Sequence, residues 1–454
     1  MKRLLAIVRP CRAKSRHLLA LLIHRLRSGR TALLLASMLS TPALAQTTAI
    51  TGGKVIIGDG SAPIEGGTVV FANGRVIAAG RGVAVPAGAT IIDAKGKWVT
   101  PGIVAGFSRL GLAGVDAVDP SNDASADKSM FNAALDVALA VNPNVAAIAI
   151  NRAAGVTRAI VSPEAGDAIF AGQGVVIDTG TDVSPVTKAK AFQFVEFGEA
   201  GARRAGGART ALYTNFRTAL AEASDAARGV FRDDALLKRA DAQALIAVVG
   251  GQTRLLIHVE SATDILAVLE LKRGYPLLNL VLVGVTEGWR VASQIAAAKV
   301  PVIASALNDL PASFEQIAAT QSNIGRMKAA GVNVAIGMID DDDTRQAQLS
   351  MQYAGNLVAL GKVPGATGLS WNDAFAAITS KPAEIIGMGG DIGSLRGGRR
   401  GDIVIWDGDP LEVTSAVEKV WIDGKAQSLE TRQTRLRARY ATPQEGALPK
   451  AFDR

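Results

Sequence analysis

Cysteine and histidine are almost missing: the 454 residues contain one cysteine and three histidines. Cys11, His17 and His24 all fall in the first 45 positions. That stretch carries nine basic residues (Lys2, Arg3, Arg9, Arg12, Lys14, Arg16, Arg25, Arg27, Arg30) and no acid, then the apolar run 32–39 and Thr41-Pro42-Ala43-Leu44-Ala45. A basic region, a short apolar run and a small-x-small end read as a secretory leader cleaved after Ala45, which places the product in the periplasm or outside the cell. The apolar run is far shorter than the roughly 20 residues that span a bilayer, so no stable membrane span is expected after cleavage. The chain beyond the leader has no cysteine, which excludes disulfides, thiolate metal sites and a thiol nucleophile. It has one imidazole, His258.

A charge excess is lacking as well. With nine of the 49 basic residues in the leader, 40 face 41 acids in the rest, so the formal +8 belongs to the leader and nucleic acid is not an expected partner. No serine elbow stands out, and a serine triad would have to take its base from His258. Aromatics make up only 5 %, against 48 % hydrophobic residues in total. Such Ala/Val/Ile/Leu-rich runs suit parallel strands buried on both faces, and 409 residues after the leader allow more than one domain.

Residues 49–99 read as β structure, with Asn73-Gly74 as a hairpin turn between two apolar runs. After Pro101 the rhythm changes. Strands at 254–260, 280–285 and 300–304 alternate with helices at 262–273 and 289–298, a helix covers 210–228, and a late strand covers 332–339. Ser261 and Ser370, each with an Asp three residues on, are N-cap signals. Short alternating β and α units imply right-handed parallel crossovers, hence a barrel or a doubly wound sheet. The tail returns to β at 402–407 and 420–422, where it can pair with the N-terminal sheet.

Several stretches carry a resemblance. Pro101-Gly102-Ile103-Val104 leads into Phe107-Ser108-Arg109, with Ala154-Gly155-Val156-Thr157 and His258-Val259-Glu260 further on. The tail has Ala377-Ile378-Thr379-Ser380-Lys381-Pro382-Ala383, Ile392-Gly393-Ser394-Leu395 and a run from Gly401 to Pro410. Together these resemble the amidohydrolase superfamily, in its imidazolonepropionase-like secreted branch, over nearly all of 50–425. The resemblance implies an α/β fold, a (β/α)8 TIM-like barrel plus a small β-sandwich built from both the N- and C-terminal segments. The implied layout is a leader at 1–45, sandwich at 46–100, barrel at 101–388, sandwich again at 389–428, and a polar C-terminal extension at 429–454.

The resemblance also implies hydrolysis of non-peptide or dipeptide-like C–N bonds at a divalent metal, and here the residues depart from it. Phe107 and Arg109 stand at the first-strand His-x-His positions. Gly284 and Val285 stand where the sixth-strand histidine would be, and Met338 and Ile339 where the eighth-strand aspartate would be, with Asp340 one place late. The fifth-strand histidine is kept as His258. A strand-four ligand would be a carboxylated Lys or an acid; Lys188 and Lys190 are the lysines available. His258, Glu260 and Asp340 are the candidate catalytic set, and His258 the candidate ligand for at most a single zinc-like ion. Arg109 and Ser108 are the candidate substrate-binding residues.

Arg109 opposes a dication, favours a small anionic or amide ligand, and has Glu260 as its expected charge partner. Two readings result: a weakened hydrolase, or an inactive relative that binds a ligand or serves as partner subunit, in a homo-oligomer or beside an active paralogue. Asp340 to Asp343 reads as a solvated loop, Gly172-Gln173-Gly174 as a tight turn near the barrel mouth, and Arg399-Arg400 as surface charge.

Overall fold

The structure of the chain is a computed structural model, which describes residues 47–115, 118–339 and 345–442. The expected leader, the Asp340–Asp343 run and residues 443–454 of the expected extension lie outside them. The first sheet takes β1 (Thr48–Val55), β2 (Ile64–Ala72), β3 (Arg75–Gly80), β4 (Thr90–Asp93) and β5 (Trp98–Pro101) from the N-terminal side. Asn73 and Gly74 take φ of 54° and 75°, the positive values that turn β2 tightly into β3.

The second sheet is the barrel: β6 (Ile103–Ser108), β7 (Val156–Val161), β8 (Phe170–Asp178), β9 (Val186–Glu196), β10 (Arg254–Val259), β11 (Asn279–Gly284), β12 (Val302–Ala304) and β13 (Val334–Ile336). They neighbour one another in chain order, and the Met338 N–H donates to the Phe107 carbonyl at 3.1 Å across the closing edge. Phe107, Phe192, Phe194, Leu256, Val283 and Ile303 belong to one buried cluster that fills the interior. The tail then supplies β14 (Ile403–Trp406), β15 (Val417–Ile422) and β16 (Lys425–Ala426). β14 pairs antiparallel with β5, Ile403 opposite Pro101 and Trp406 opposite Trp98, so both ends of the chain build one β-sandwich. Its core mixes Ile50, Val69 and Val99 with Leu395, Ile405 and Trp421.

One strand departs from the expected all-parallel barrel. β8 runs antiparallel to both β7 and β9. The connections at 162–169 and 179–185 are short and rich in Pro, Gly, Ser and Asp, whereas a parallel crossover needs a dozen residues or more. Gly172-Gln173-Gly174 is therefore not a turn but lies within β8. A Cβ on Gly174 would stand 2.0 Å from the Phe192 ring, so glycine there lets the ring pack against the strand. The late strand is shorter than its apolar run suggests, and 289–298 divides into a 3-10 turn (Gly288–Val291) and a helix (Ala292–Ala297).

Barrel and sandwich are joined by a buried cation. Arg158 of β7 is fully buried. It donates through Nε and Nη2 to the two Asp402 oxygens at 2.8 and 2.9 Å, and through Nη1 to Thr187 Oγ1 at 2.7 Å. Asp423 Oδ1 lies 2.8 Å from Nη2, and Asp178 Oδ2 3.7 Å from Nη1. Burial opposes the charge, but Asp402 and Asp423 outweigh it and raise the guanidinium pKa. Burial pushes the Asp178 carboxyl up. Arg400, expected as mere surface charge, donates to Asp391 at 2.7 Å and to Asp423 at 3.0 Å, which extends the same network.

Candidate functional site

Alternate residues of a strand share a face. Leu256 lies in the barrel core, so His258 projects from the same face of β10 at its C-terminal end, where barrel sites lie. Parallel register sets His258 opposite Glu196, the last residue of β9. The Val285 N–H bonds the Val259 carbonyl at 2.8 Å, and the Thr286 N–H donates to Glu260 Oε2 at 2.7 Å. That second bond holds the Glu260 carboxylate toward His258.

The three side chains form a clamp. His258 Nδ1 is 2.6 Å from Glu196 Oε1, and Nε2 is 2.9 Å from Glu260 Oε1. Carboxylates only accept, so satisfying both contacts requires an N–H on each ring nitrogen, the imidazolium form. Burial disfavours that cation, yet Glu196 and Glu260 outweigh it and hold the pKa well above the ordinary value. No lone pair remains on the ring. The His258 side chain keeps 22 % exposure, so the clamp is open to the mouth.

Gly284 shows why no sixth-strand side chain accompanies it. Its φ is +88°, and a Cβ there would meet Glu260 Oε1 at 2.3 Å and His258 Cδ2 at 2.8 Å. The clamp fills the space that a ligand side chain would need. Gly284→Ala is expected to cost about 2 kcal/mol, from backbone strain and displacement of Glu260. Urea unfolding measures it, and a loss under about 0.5 kcal/mol would refute this account of Gly284.

The other expected residues are dispersed. Phe107 is buried against Phe194, with ring centroids 5.4 Å apart. Ser108, expected at a ligand, is fully buried, and its hydroxyl donates to the Ile160 carbonyl at 3.1 Å. Arg109 lies with Nε 3.8 Å from Glu164, across the ends of β6 and β7; Glu260 pairs with His258 instead. Asp340 lies outside the described residues. Lys188 and Lys190 sit before the apolar end of β9, Lys190 4.0 Å from Asp136. The strand's acid beside His258 is Glu196, which sequence reasoning misses when only lysines are weighed there. Its signal is an acid that closes an apolar strand, on the same face as Phe192 and Phe194.

A second polar group lies near the clamp, its Glu315 close enough to feel the charges of His258 and Glu260. Asp264, in the first turn of the helix that Ser261 caps, accepts from Arg209 Nε at 2.9 Å and from the Tyr213 hydroxyl at 2.9 Å. Glu315 accepts from the Glu199 N–H at 2.7 Å, with Arg209 Nη2 3.4 Å away. Burial raises the Glu315 pKa, against the pull of that N–H.

Comparison with known proteins gives a consistent set. The profile of the Amidohydrolase family matches residues 290–426. Amidohydrolase tasK of Hapsidospora irregularis is 25 % identical over 386 residues, a match covering 76 % of this chain and 38 % of that protein. Imidazolonepropionase of Maricaulis maris (strain MCS10) is 29 % identical over 118 residues, covering 26 % of this chain and 28 % of that one. The chain thus spans well under half the length of these curated relatives. Among solved structures, an amidohydrolase from Thermotoga maritima MSB8 superposes with a TM-score of 0.74 at 23 % identity, over 84 % of this chain and 99 % of that one.

Proposed function

We infer that this chain is a member of the amidohydrolase superfamily, as its similarities to family members support, and a binding member whose metal centre has been exchanged for the Glu196–His258–Glu260 clamp. The observation that carries this is the commitment of both His258 nitrogens to carboxylates. A zinc-type hydrolytic site takes at least three protein ligands, each deprotonated, and an open position for water. Phe107 and Gly284 offer no donor atom, and a clamped imidazolium offers none either. Among the described residues, the donor set does not fit the metal.

On this reading the mouth holds a small anionic or amide ligand near Arg109, or seats a partner subunit such as an active paralogue. On the same reading, export with cleavage after Ala45 would put both in the periplasm or outside the cell. A metal-free hydrolase is the second reading, favoured by the 22 % exposure of His258: the imidazolium would protonate a leaving amine.

Metal content of tag-free protein, measured beside His258→Ala, tests the binding reading. We expect fewer than about 0.1 divalent ions per chain. About one zinc per chain, lost in the variant, would overturn it. Turnover of small amides by the metal-free protein, abolished in His258→Ala, would establish the second reading instead.

A further inference from the structure

At the opposite end of the barrel from His258, where β7 and β9 begin, a cleft of about 420 Å³ is lined by Asn144, Val145, Arg152, Thr181, Arg432 and Arg435, among others. Arg152 is only 6 % exposed. Its Nε donates to the Ser428 carbonyl at 3.0 Å, and its Nη1 to the carbonyls of Thr179 and Gly180 at 2.7 and 3.3 Å. Every one of these acceptors is neutral, and burial alone lowers the Arg152 pKa, with no carboxylate raising it. Two acids also line the cleft, each beside a cation: Asp182 lies 3.2 Å from Lys425, and the exposed Glu430 lies 3.7 Å from Nε of Arg435, whose two terminal nitrogens point to no acid among the described residues. Among the described residues this buried charge is held only by neutral groups and lacks a counter-charge.

The cleft wall supplies further attraction for an anion. The helix Ala146–Ala153 starts there, with Val145 at its N-cap and no side chain capping its first N–H groups. Arg432 and Arg435, both exposed, stand on the tail helix Arg432–Tyr440. The Ile148 N–H is taken by the Val145 carbonyl at 3.1 Å, but guanidinium forks together with the uncapped amides of Ala146 and Ala147 match the oxygens of a phosphate group. We propose that this cleft binds a phosphate group, free or carried on a small molecule, with Arg152 as the buried counter-charge, Arg432 and Arg435 closing over it, and the helix start donating N–H bonds. The site is independent of what the barrel mouth does.

The test uses the full chain and inorganic phosphate. Phosphate binding by calorimetry, and a rise in melting temperature beyond that given by sodium chloride of equal ionic strength, are the expected results. The Arg432→Ala/Arg435→Ala double variant changes only exposed side chains, so it keeps the fold, and is expected to bind phosphate at least about tenfold more weakly. Arg152→Met is expected to lose binding, but it also removes three hydrogen bonds, so the double variant decides the matter. A shift no larger than that given by the chloride salt, or unchanged affinity in the double variant, would overturn the proposal. Phenyl phosphate beside inorganic phosphate separates the two sources: tighter ester binding assigns the site to a carried phosphate, and tighter inorganic binding to the free ion.

Discussion

Arg158→Met is expected to lower stability by about 3–5 kcal/mol, the cost of removing one partner from a buried ion pair. Methionine replaces much of the volume but none of the charge. Asp402 is left buried with both oxygens stripped of their guanidinium donors, beside Asp178 and Asp423. The loss is specific to the junction, since Arg158 belongs to the barrel while Asp402 and Asp423 flank the sandwich strands β14 and β15. Denaturant unfolding of the variant gives the magnitude. Hydrogen exchange gives the location, with β14 and β15 losing protection before β10 and β11. A cost below about 1 kcal/mol would mean that the network contributes only as surface pairs do.

The second large effect lies at the clamp. His258→Gln removes the cation and leaves Glu196 and Glu260 facing each other, at an expected cost of about 3 kcal/mol near neutral pH. The wild-type contribution has a defined sign. A pKa raised on folding means that the folded state holds its proton more tightly. The stabilisation is therefore complete below the ordinary imidazole value near 6.5 and is lost as the pH rises through the folded value. The stability gap is thus widest below about pH 6.5 and narrows as the pH rises above it. Parallel unfolding series at about pH 6 and about pH 9 read this directly; a gap independent of pH would show that His258 acts only as a space-filler.

The fold was legible wherever a local pattern had a single physical meaning. Asn73-Gly74 admits one tight hairpin, Ser261 and Ser370 cap the helices that begin after them, and the tail motif pairs with β5 as its apolar run requires. The reversal of β8 was harder to read, because an apolar run does not state its direction. The length of the flanking connections did state it. At the site, the substitutions at Phe107, Arg109 and Gly284 were plain from the sequence, but what replaced the lost ligands was not. The clamp depends on the register between β9 and β10 across 62 residues, and on a left-handed Gly284 that clears space for Glu260. Arg158 was invisible for a related reason: one arginine in an apolar strand looks like an edge charge until Asp402 and Asp423, more than 240 residues later, are set beside it.

The pairing of β5 with β14 fixes an order of events in biosynthesis. β5 ends at Pro101 and its neighbour begins at Ile403, so about 300 residues must be made before that edge is covered. At ~5–20 residues per second the N-terminal half-sheet waits roughly 15–60 s with an open, apolar edge. Barrel and sandwich therefore cannot mature one after the other as beads on a string. A nascent chain stalled before Ile403 presents an unfinished sheet to any chaperone nearby, and a truncation that removes β14 yields an adhesive half-sandwich rather than a free barrel.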